Sequence, residues 1–421
     1  VTRAGFEETE MIQLRALSAA LAASSSAIAL AGAPSYTIIN IGVVNPGDAG
    51  SQGFRVSDNG IATGRSLGTG SRAYRWTESG GLEPLPNLAS PVRNFSAGNG
   101  VNIHGVVVGT GATTAFGSDP LPLIWTNGTV NQLVLPLGHT FGRANDINNL
   151  GVAVGSVGAG ISESGVIYDG DTATIIVATT PGGATLRTAF SINDSGRVVG
   201  FGVDPNNAAR NVGFVYDSAT DTAFEVGALP GLNGALAFDV SNAGHVVGST
   251  MLNQGSGLPF IWTDAGGMVE IPLPPGTSQG SARGVNSDGW VVGNSSSAFS
   301  IPFLYDGVST YRVADLIPPG TGWDLETNTS SSALGISESG VIVGTGVFNG
   351  QVRAYAMIPA GAGCNAADLV EPFGVLDLAD IQAFVLAFTG ADPAADLAPP
   401  FGVFDLADIQ AFVAAFTAGC P

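Results

Sequence analysis

Short apolar runs alternate with Gly-closed polar turns along this chain, and one such run-turn-run recurs seven times. The first copy is Val56-Ser57-Asp58-Asn59-Gly60-Ile61-Ala62-Thr63-Gly64, and the others occupy residues 101–109, 147–155, 192–200, 240–248, 285–293 and 336–344. Each reads aliphatic, Asn or Ser, two variable residues, Gly, one variable residue, two mostly apolar residues, Gly. Asn or Ser favours the first position of a tight turn, and Gly accepts the positive φ at its end. Apolar residues on both sides then make the pattern a β-hairpin. The first Gly of successive copies is Gly60, Gly105, Gly151, Gly196, Gly244, Gly289 and Gly340, at steps of 45, 46, 45, 48, 45 and 51 residues. A period of that length marks one supersecondary unit copied and stacked.

Two more strands complete the unit. In the copy that starts near Ser281, Pro302-Phe303-Leu304-Tyr305 reads as a third strand, Asp306-Gly307 as a turn, and Tyr311 to Leu316 as a fourth strand. Equivalent third strands are Ala73-Tyr74-Arg75-Trp76, Leu123-Ile124-Trp125, Val166-Ile167-Tyr168, Phe214-Val215-Tyr216 and Phe260-Ile261-Trp262. Four antiparallel strands every 45 residues or so predict an all-β fold, a seven-bladed β-propeller; a linear solenoid is the competing architecture. The ends of the array separate the two. The last hairpin is followed by a third strand, Arg353 to Ile358, and no fourth, while an orphan strand, Tyr36 to Val44, precedes the first hairpin. Pairing them closes a ring, N- to C-terminal, and removes two open edges. Ile161-Ser162-Glu163-Ser164-Gly165 resembles the turn at Ile336 to Gly340, but it lies 14 residues after Gly151. It is expected to connect a second to a third strand, not to start an eighth blade.

The Ile/Val-Asn-x-x-Gly-x-Val-Val-Gly hairpins resemble the HAF family of bacterial extracellular repeats over about residues 36–360. The resemblance implies a β-propeller-like, exported protein and no particular activity. The His-Ala-Phe tripeptide of that family is degenerate here; Arg72-Ala73-Tyr74 and Arg353-Ala354-Tyr355 come nearest.

Composition narrows the partners. The net charge is −20 and no Lys is present, so every basic residue is Arg. Lysine Schiff bases and P-loop phosphate binding are excluded, and nucleic acid is not an expected partner because its phosphates need basic clusters. Residues 1–31 read as a signal peptide (with Met11 as an alternative start): Arg15 precedes an Ala/Leu-rich stretch that ends in Ala29-Leu30-Ala31. No later apolar run is long enough to span a bilayer. An extracellular or cell-surface location follows, and there Cys364 and Cys420 are expected to form a disulfide worth about 4 kcal/mol.

Those cysteines bracket a change of composition. After a linker at residues 361–363, residues 364–421 hold two near-identical halves, 28 residues apart. Leu378, Ile381, Phe384, Val385 and Phe388 share a helical face, as do Leu406, Ile409, Phe412, Val413 and Phe416. The duplicated loop-helix unit resembles a dockerin, and is similar to the C-terminal GC-type dockerin-like domain of exported planctomycete proteins. That resemblance implies a protein or cell-surface partner and Ca²⁺ on Asp368, Asp377, Asp380, Asp396, Asp405 and Asp408. Two of the usual carboxylate positions in each loop are replaced, by Val370 to Phe373 and by Ala398 to Phe401. Capping of the helices by Asp377 and Asp405 is the alternative role.

Catalytic chemistry finds few residues. His104, His139 and His245 do not cluster in the pattern. Asp146 and Asp239 precede Ile147 and Val240 at the same repeat position, which could place both near a central channel as a glycosidase-like pair. The alternative is that each accepts hydrogen bonds from neighbouring turn amides, and the turn carboxylates Asp58, Asp194, Asp288 and Glu338 read as solvated. The expected function is an exported, non-catalytic propeller that binds a glycan or protein and is attached through the dockerin-like module. A secreted carbohydrate-active hydrolase or lyase is the rival, and a purely structural envelope component the third possibility.

Overall fold

The computed structural model describes residues 33–114, 119–159, 162–252, 257–360, 365–369, 376, 378–390, 395, 397–398 and 403–419. The signal-peptide segment, both cysteines, Asp377 and Asp396 lie outside the described residues.

All seven hairpins form. Their inner strands are Gly50–Val56, Phe95–Val101, Phe141–Ile147, Thr185–Ile192, Gly234–Val240, Gln279–Val285 and Ser332–Ile336. Each turns through an i to i+3 hydrogen bond, such as Gly60 N to Ser57 O at 2.9 Å. The seven turn glycines all have φ between 70° and 86°, a region that costs a side chain strain. Third and fourth strands follow in order, so the strands group into four-stranded antiparallel units, the last of which carries a short fifth strand, Trp323–Asp324, paired with Ile342–Phe348; the units are numbered 1 to 7 in chain order. Units 1 and 2 share one sheet only through a single parallel bridge, Ser71 to Phe95.

Unit 7 takes its outermost strand from the other end of the array. Tyr36–Gly42 pairs antiparallel with Gln351–Pro359, from Tyr36 opposite Pro359 to Gly42 opposite Ala354. The inner strands also meet around the ring: a Cβ on Gly335 of unit 7 would lie 3.1 Å from Val56 N of unit 1. The apolar core is divided accordingly. Each of the seven buried clusters of the array joins two adjacent units, for instance Val108 of unit 2 with Ala144 and Tyr168 of unit 3. The closing interface is built alike, from Val343, Ala354 and Ala356 against Ala62, Tyr74 and Trp76. This ring of small radial sheets is a β-propeller.

Two sequence expectations change. The fourth strand of unit 6 ends at Arg312, and Val313–Leu316 is a 3-10 helix. Val313 and Leu316, three residues apart, are both buried, a spacing that a 3-10 turn places on one side. Ser162–Asp169 is a single strand paired along its length with Ala153–Ala159, so Ser162 to Gly165 belong to the third strand itself, not to a connection.

Near the C-terminus, helix α1 spans Leu378–Thr389 and helix α2 spans Leu406–Ala418. They pack through Phe384 and Phe412, whose rings stack at 4.1 Å. No helix among the described residues is long and apolar enough to cross a membrane.

Candidate functional site: a channel with two unlike ends

One recurring backbone irregularity builds the channel. In every inner strand the register slips by one residue just before the hairpin, between Gly53 and Arg55, Gly98 and Gly100, Ala144 and Asp146, Ala189 and Ser191, Ala237 and Asp239, Ala282 and Gly284, and Ala333 and Gly335. The residue left unpaired in each is a β-bulge, which re-aims its side chain. The last Gly of the hairpin pattern is what permits it. A Cβ on Gly64, Gly155 or Gly344 would collide with the carbonyl oxygen of Gln52, Arg143 or Ser332, on the bulged strand opposite. At Gly64 and Gly344 a third-strand Tyr covers the same Gly, and Tyr74 and Tyr355 donate their hydroxyls to the Gln52 and Ser332 carbonyls at 3.0 and 2.8 Å. Burial raises the pKa of both phenols, so they remain protonated donors.

The seven bulged residues are Phe54, Asn99, Asn145, Phe190, Phe238, Arg283 and Leu334, and with Arg55 they line a cup of about 440 Å³ at one mouth of the channel. All seven are half-buried. Phe190 packs between Phe201 and Phe238, at ring separations of 5.7 and 5.3 Å. The Arg283 guanidinium lies 3.9 Å over the Phe238 ring. Its Nε donates to Ser281 Oγ at 3.0 Å, and it has no carboxylate partner among the described residues. Burial, and then the charge of Arg55, lower its pKa. Asn99 Nδ2 donates to Ala144 O at 2.9 Å and Asn145 Nδ2 to Ala189 O at 2.8 Å, and neither Oδ1 has a donor among the described residues.

The next position in the repeat forms the channel wall: Arg55, Gly100, Asp146, Ser191, Asp239, Gly284 and Gly335. Three glycines leave room for Arg55 to reach across from unit 1 to unit 5. Its Nη1 meets Asp239 Oδ1 at 2.9 Å, and both side chains are more than four-fifths buried. Asp239 Oδ2 accepts from Val285 N at 3.0 Å, and Asp146 Oδ2 from Ile192 N at 3.2 Å. Ser191 Oγ stands 2.7 Å from both Asp146 Oδ2 and Asp239 Oδ1. A hydroxyl has one proton, so two carboxylates at that distance require a second. Of the two, Asp146 is the one whose charged form is disfavoured. Burial raises its pKa; Arg55 opposes that rise and Asp239 adds to it. Asp146 and Asp239 are both acceptors within reach of the Ser191 hydroxyl, and Asp239 also balances Arg55. Sequence pattern thus brought Asp146 and Asp239 to one place, where strand-end amides of the following unit and Ser191 engage them.

At the other mouth, the hairpin turns clasp one another. Nδ2 of Asn102, Asn148 and Asn193 donates to the carbonyl of Asn148, Asn193 and Ser241 in the following unit, at 3.1, 3.1 and 3.0 Å. A residue later, the amide of Asn149 donates to Asp194 Oδ1 at 2.8 Å and that of Ser287 to Glu338 Oε2 at 2.8 Å. Asp58 accepts from Asn149 Nδ2 at 3.0 Å. Asp58, Asp194 and Glu338 are therefore inter-unit acceptors rather than solvated turn residues; Asp288 is exposed. The histidines stay apart: His104 and His245 sit in turns of units 2 and 5, and His139 in a loop.

In the C-terminal segment, Asp405 caps α2 and accepts from Ala407 N at 2.7 Å. Asp408, fully buried, accepts from Leu397 N and Ala398 N through Oδ1 and from Asp405 N through Oδ2. These amides hold its pKa below the ordinary carboxylate value, that of Asp405 contributing most. Asp380 is equally buried, with Oδ1 accepting from Leu369 N at 2.7 Å, and Asp368 is buried as well. A carboxylate offers about four acceptor positions, so a cation on Asp408 would compete with three backbone donors.

Fold and channel define a β-propeller protein. No family model matches the chain, and no curated protein matches it. Solved structures similar to it include YCF48 bound to D1 peptide (TM-score 0.48, 12% identity, 78% of this chain and 98% of that one). Virginiamycin B lyase from Staphylococcus aureus is similar at a TM-score of 0.45 and 12% identity, over 77% of this chain and 98% of that one. Oligogalacturonate lyase from Vibrio parahaemolyticus gives 0.44 and 9%, over 77% and 97%.

Proposed function

We propose that this chain is an exported, non-catalytic, seven-bladed β-propeller of HAF-like repeats that binds a glycan or protein ligand. In this proposal residues 1–31 are a signal peptide, 36–360 the propeller, 361–363 a linker and 364–421 a dockerin-like module, stapled by Cys364–Cys420, that attaches the protein to a surface or partner. The observation that supports binding over turnover is the state of the channel carboxylates. A hydrolase needs one carboxyl free to protonate a leaving group and another free to attack or to activate water. Asp146 and Asp239 are instead tied to backbone amides, Ser191 and Arg55. The cup beside them presents Asn99 Oδ1, Asn145 Oδ1 and the Arg283 Nη groups, none of which has a hydrogen-bond partner among the described residues.

A glycan-array and turnover screen of the chain, with and without Ca²⁺, tests the proposal. Saturable binding without product formation is the expected result; release of product that Asp239→Asn abolishes would replace it with the hydrolase or lyase reading. For the module we propose Ca²⁺ as the cation to test, supported by the repeated Asp residues at both loops. Calorimetric titration of the chain with Ca²⁺ separates that role from capping by amides alone.

A further inference from the structure

The ring order of the bulged residues carries information about the ligand. In a ring of seven, unit 6 stands opposite units 2 and 3. The cup therefore sets the Arg283 guanidinium across from Asn99 and Asn145. Phe190, Phe238 and Phe54 supply flat apolar surface around them. A complementary molecule has an anionic group at one edge, two neighbouring hydrogen-bond donors at the opposite edge, and an apolar face.

Resting on the binding reading above, we propose that this cup holds a hexuronic acid residue of an acidic oligosaccharide. A pyranose uronic acid bears its carboxylate on C5 and vicinal hydroxyls on C2 and C3, across the ring. The carboxylate meets Arg283, whose Nη1 and Nη2 have no protein acceptor among the described residues. The two hydroxyls donate to Asn99 Oδ1 and Asn145 Oδ1, which adjacent units hold side by side through their bound Nδ2 groups. The C–H face of the sugar stacks on the phenylalanines. A cup of about 440 Å³ is within the range of small-ligand sites. A peptide fits the same polar groups less well. Its main chain carries a carbonyl for every amide donor, and apart from Arg283 these bulged residues offer those carbonyls only the second N–H of Asn145 Nδ2, so burial would leave acceptors unpaired. The chain's charge of −20 does not forbid an acidic sugar, since charges beyond about 8 Å are largely screened at physiological salt.

The test is calorimetric titration of the full chain with tri-galacturonate and tri-glucuronate, their methyl esters, the neutral trisaccharides, and a peptide with a free C-terminal carboxylate. At least one uronate is expected to bind, and its methyl ester to bind at least tenfold more weakly. Arg283→Gln is expected to weaken the uronate at least tenfold and leave the ester unchanged; the ester needs no variant, so a folding defect cannot mimic the result. Equal affinity for acid and ester, preference for the peptide, or no uronate binding would overturn the proposal. In those cases a neutral glycan or peptide whose binding is lost in Phe238→Ala leaves the binding reading standing, whereas turnover of any oligosaccharide removes both.

Discussion

The two mouths of the channel come from residues only three or four positions apart in each repeat, yet they behave in opposite ways. At the turn mouth, the polar groups bind one another across unit boundaries: Asn148 to Asn193, Asn149 to Asp194, Ser287 to Glu338. At the bulge mouth, Asn99 Oδ1, Asn145 Oδ1 and the two Nη groups of Arg283 have no partner among the described residues. Repetition explains the first. An Asn that reaches the same carbonyl in the next unit suits any boundary, so the residue type recurs at Asn102, Asn148, Asn193 and Asn286, with Ser at the other three positions. The bulge mouth has no such constraint, because a bulged side chain projects away from the ladder and any residue fits. Phe, Asn, Arg and Leu all occur there. One mouth is scaffold, and the other is free to be specific.

The strongest way to break that contrast is to disturb the wall between the mouths. Arg55→Met leaves Asp239 buried without its cation and is expected to cost about 3–5 kcal/mol, since removing one partner of a buried pair strands the other. Chemical denaturation measures it; a loss under about 1 kcal/mol would mean that the ion pair is solvated and the wall open. Next in size is Gly155→Ala. The added methyl collides with the Arg143 carbonyl, and the bulge must shift, at about 1–3 kcal/mol. An unchanged melting curve would show that the bulge does not depend on its facing Gly. Asn148→Ser removes one inter-unit hydrogen bond and is expected to cost about 1 kcal/mol, with the cup's ligand affinity unchanged.

The smallest effect tests whether Asp146 takes up a proton on folding. Asp146 has a raised folded-state pKa against an ordinary value of 3.8. Folding therefore takes up a proton between those two pH values. The stability that this proton confers is complete below the ordinary value and is lost as pH rises through the raised one. Asp146→Asn, neutral at every pH, is expected to remove that part of the pH dependence while leaving acid stability nearly unchanged. A variant whose stability follows the parent's pH profile would place the proton elsewhere.

Much of the scaffold was legible in the sequence. Gly60 and its six counterparts marked the turns, because only a residue without Cβ takes φ near 80° freely. Tyr36 to Val44 could be matched to the last unit because both were incomplete. The cup was not legible. Strand alternation predicts which face a side chain takes, and a bulge breaks that alternation at Phe54 or Arg283 without any residue type of its own. The signal lay on the facing strand, in the closing Gly of each hairpin, which reads equally well as a turn residue until the carbonyl opposite is seen. The turn carboxylates were misread for a related reason: Asp194 and Glu338 look solvated within one repeat, and their partners belong to the next. Arg55 gave no sign of reaching unit 5, since its partner lies far along the chain.

Six of the units are made of consecutive residues and can form as the polypeptide emerges. The seventh cannot: Tyr36–Gly42 must wait for Gln351–Pro359, made after the six other units. Until then both partners are bare strand edges, able to recruit the same segment from another molecule. The ring's last step is thus also its moment of greatest exposure to domain exchange, and the dwell time of the nascent chain at that step sets how often it occurs.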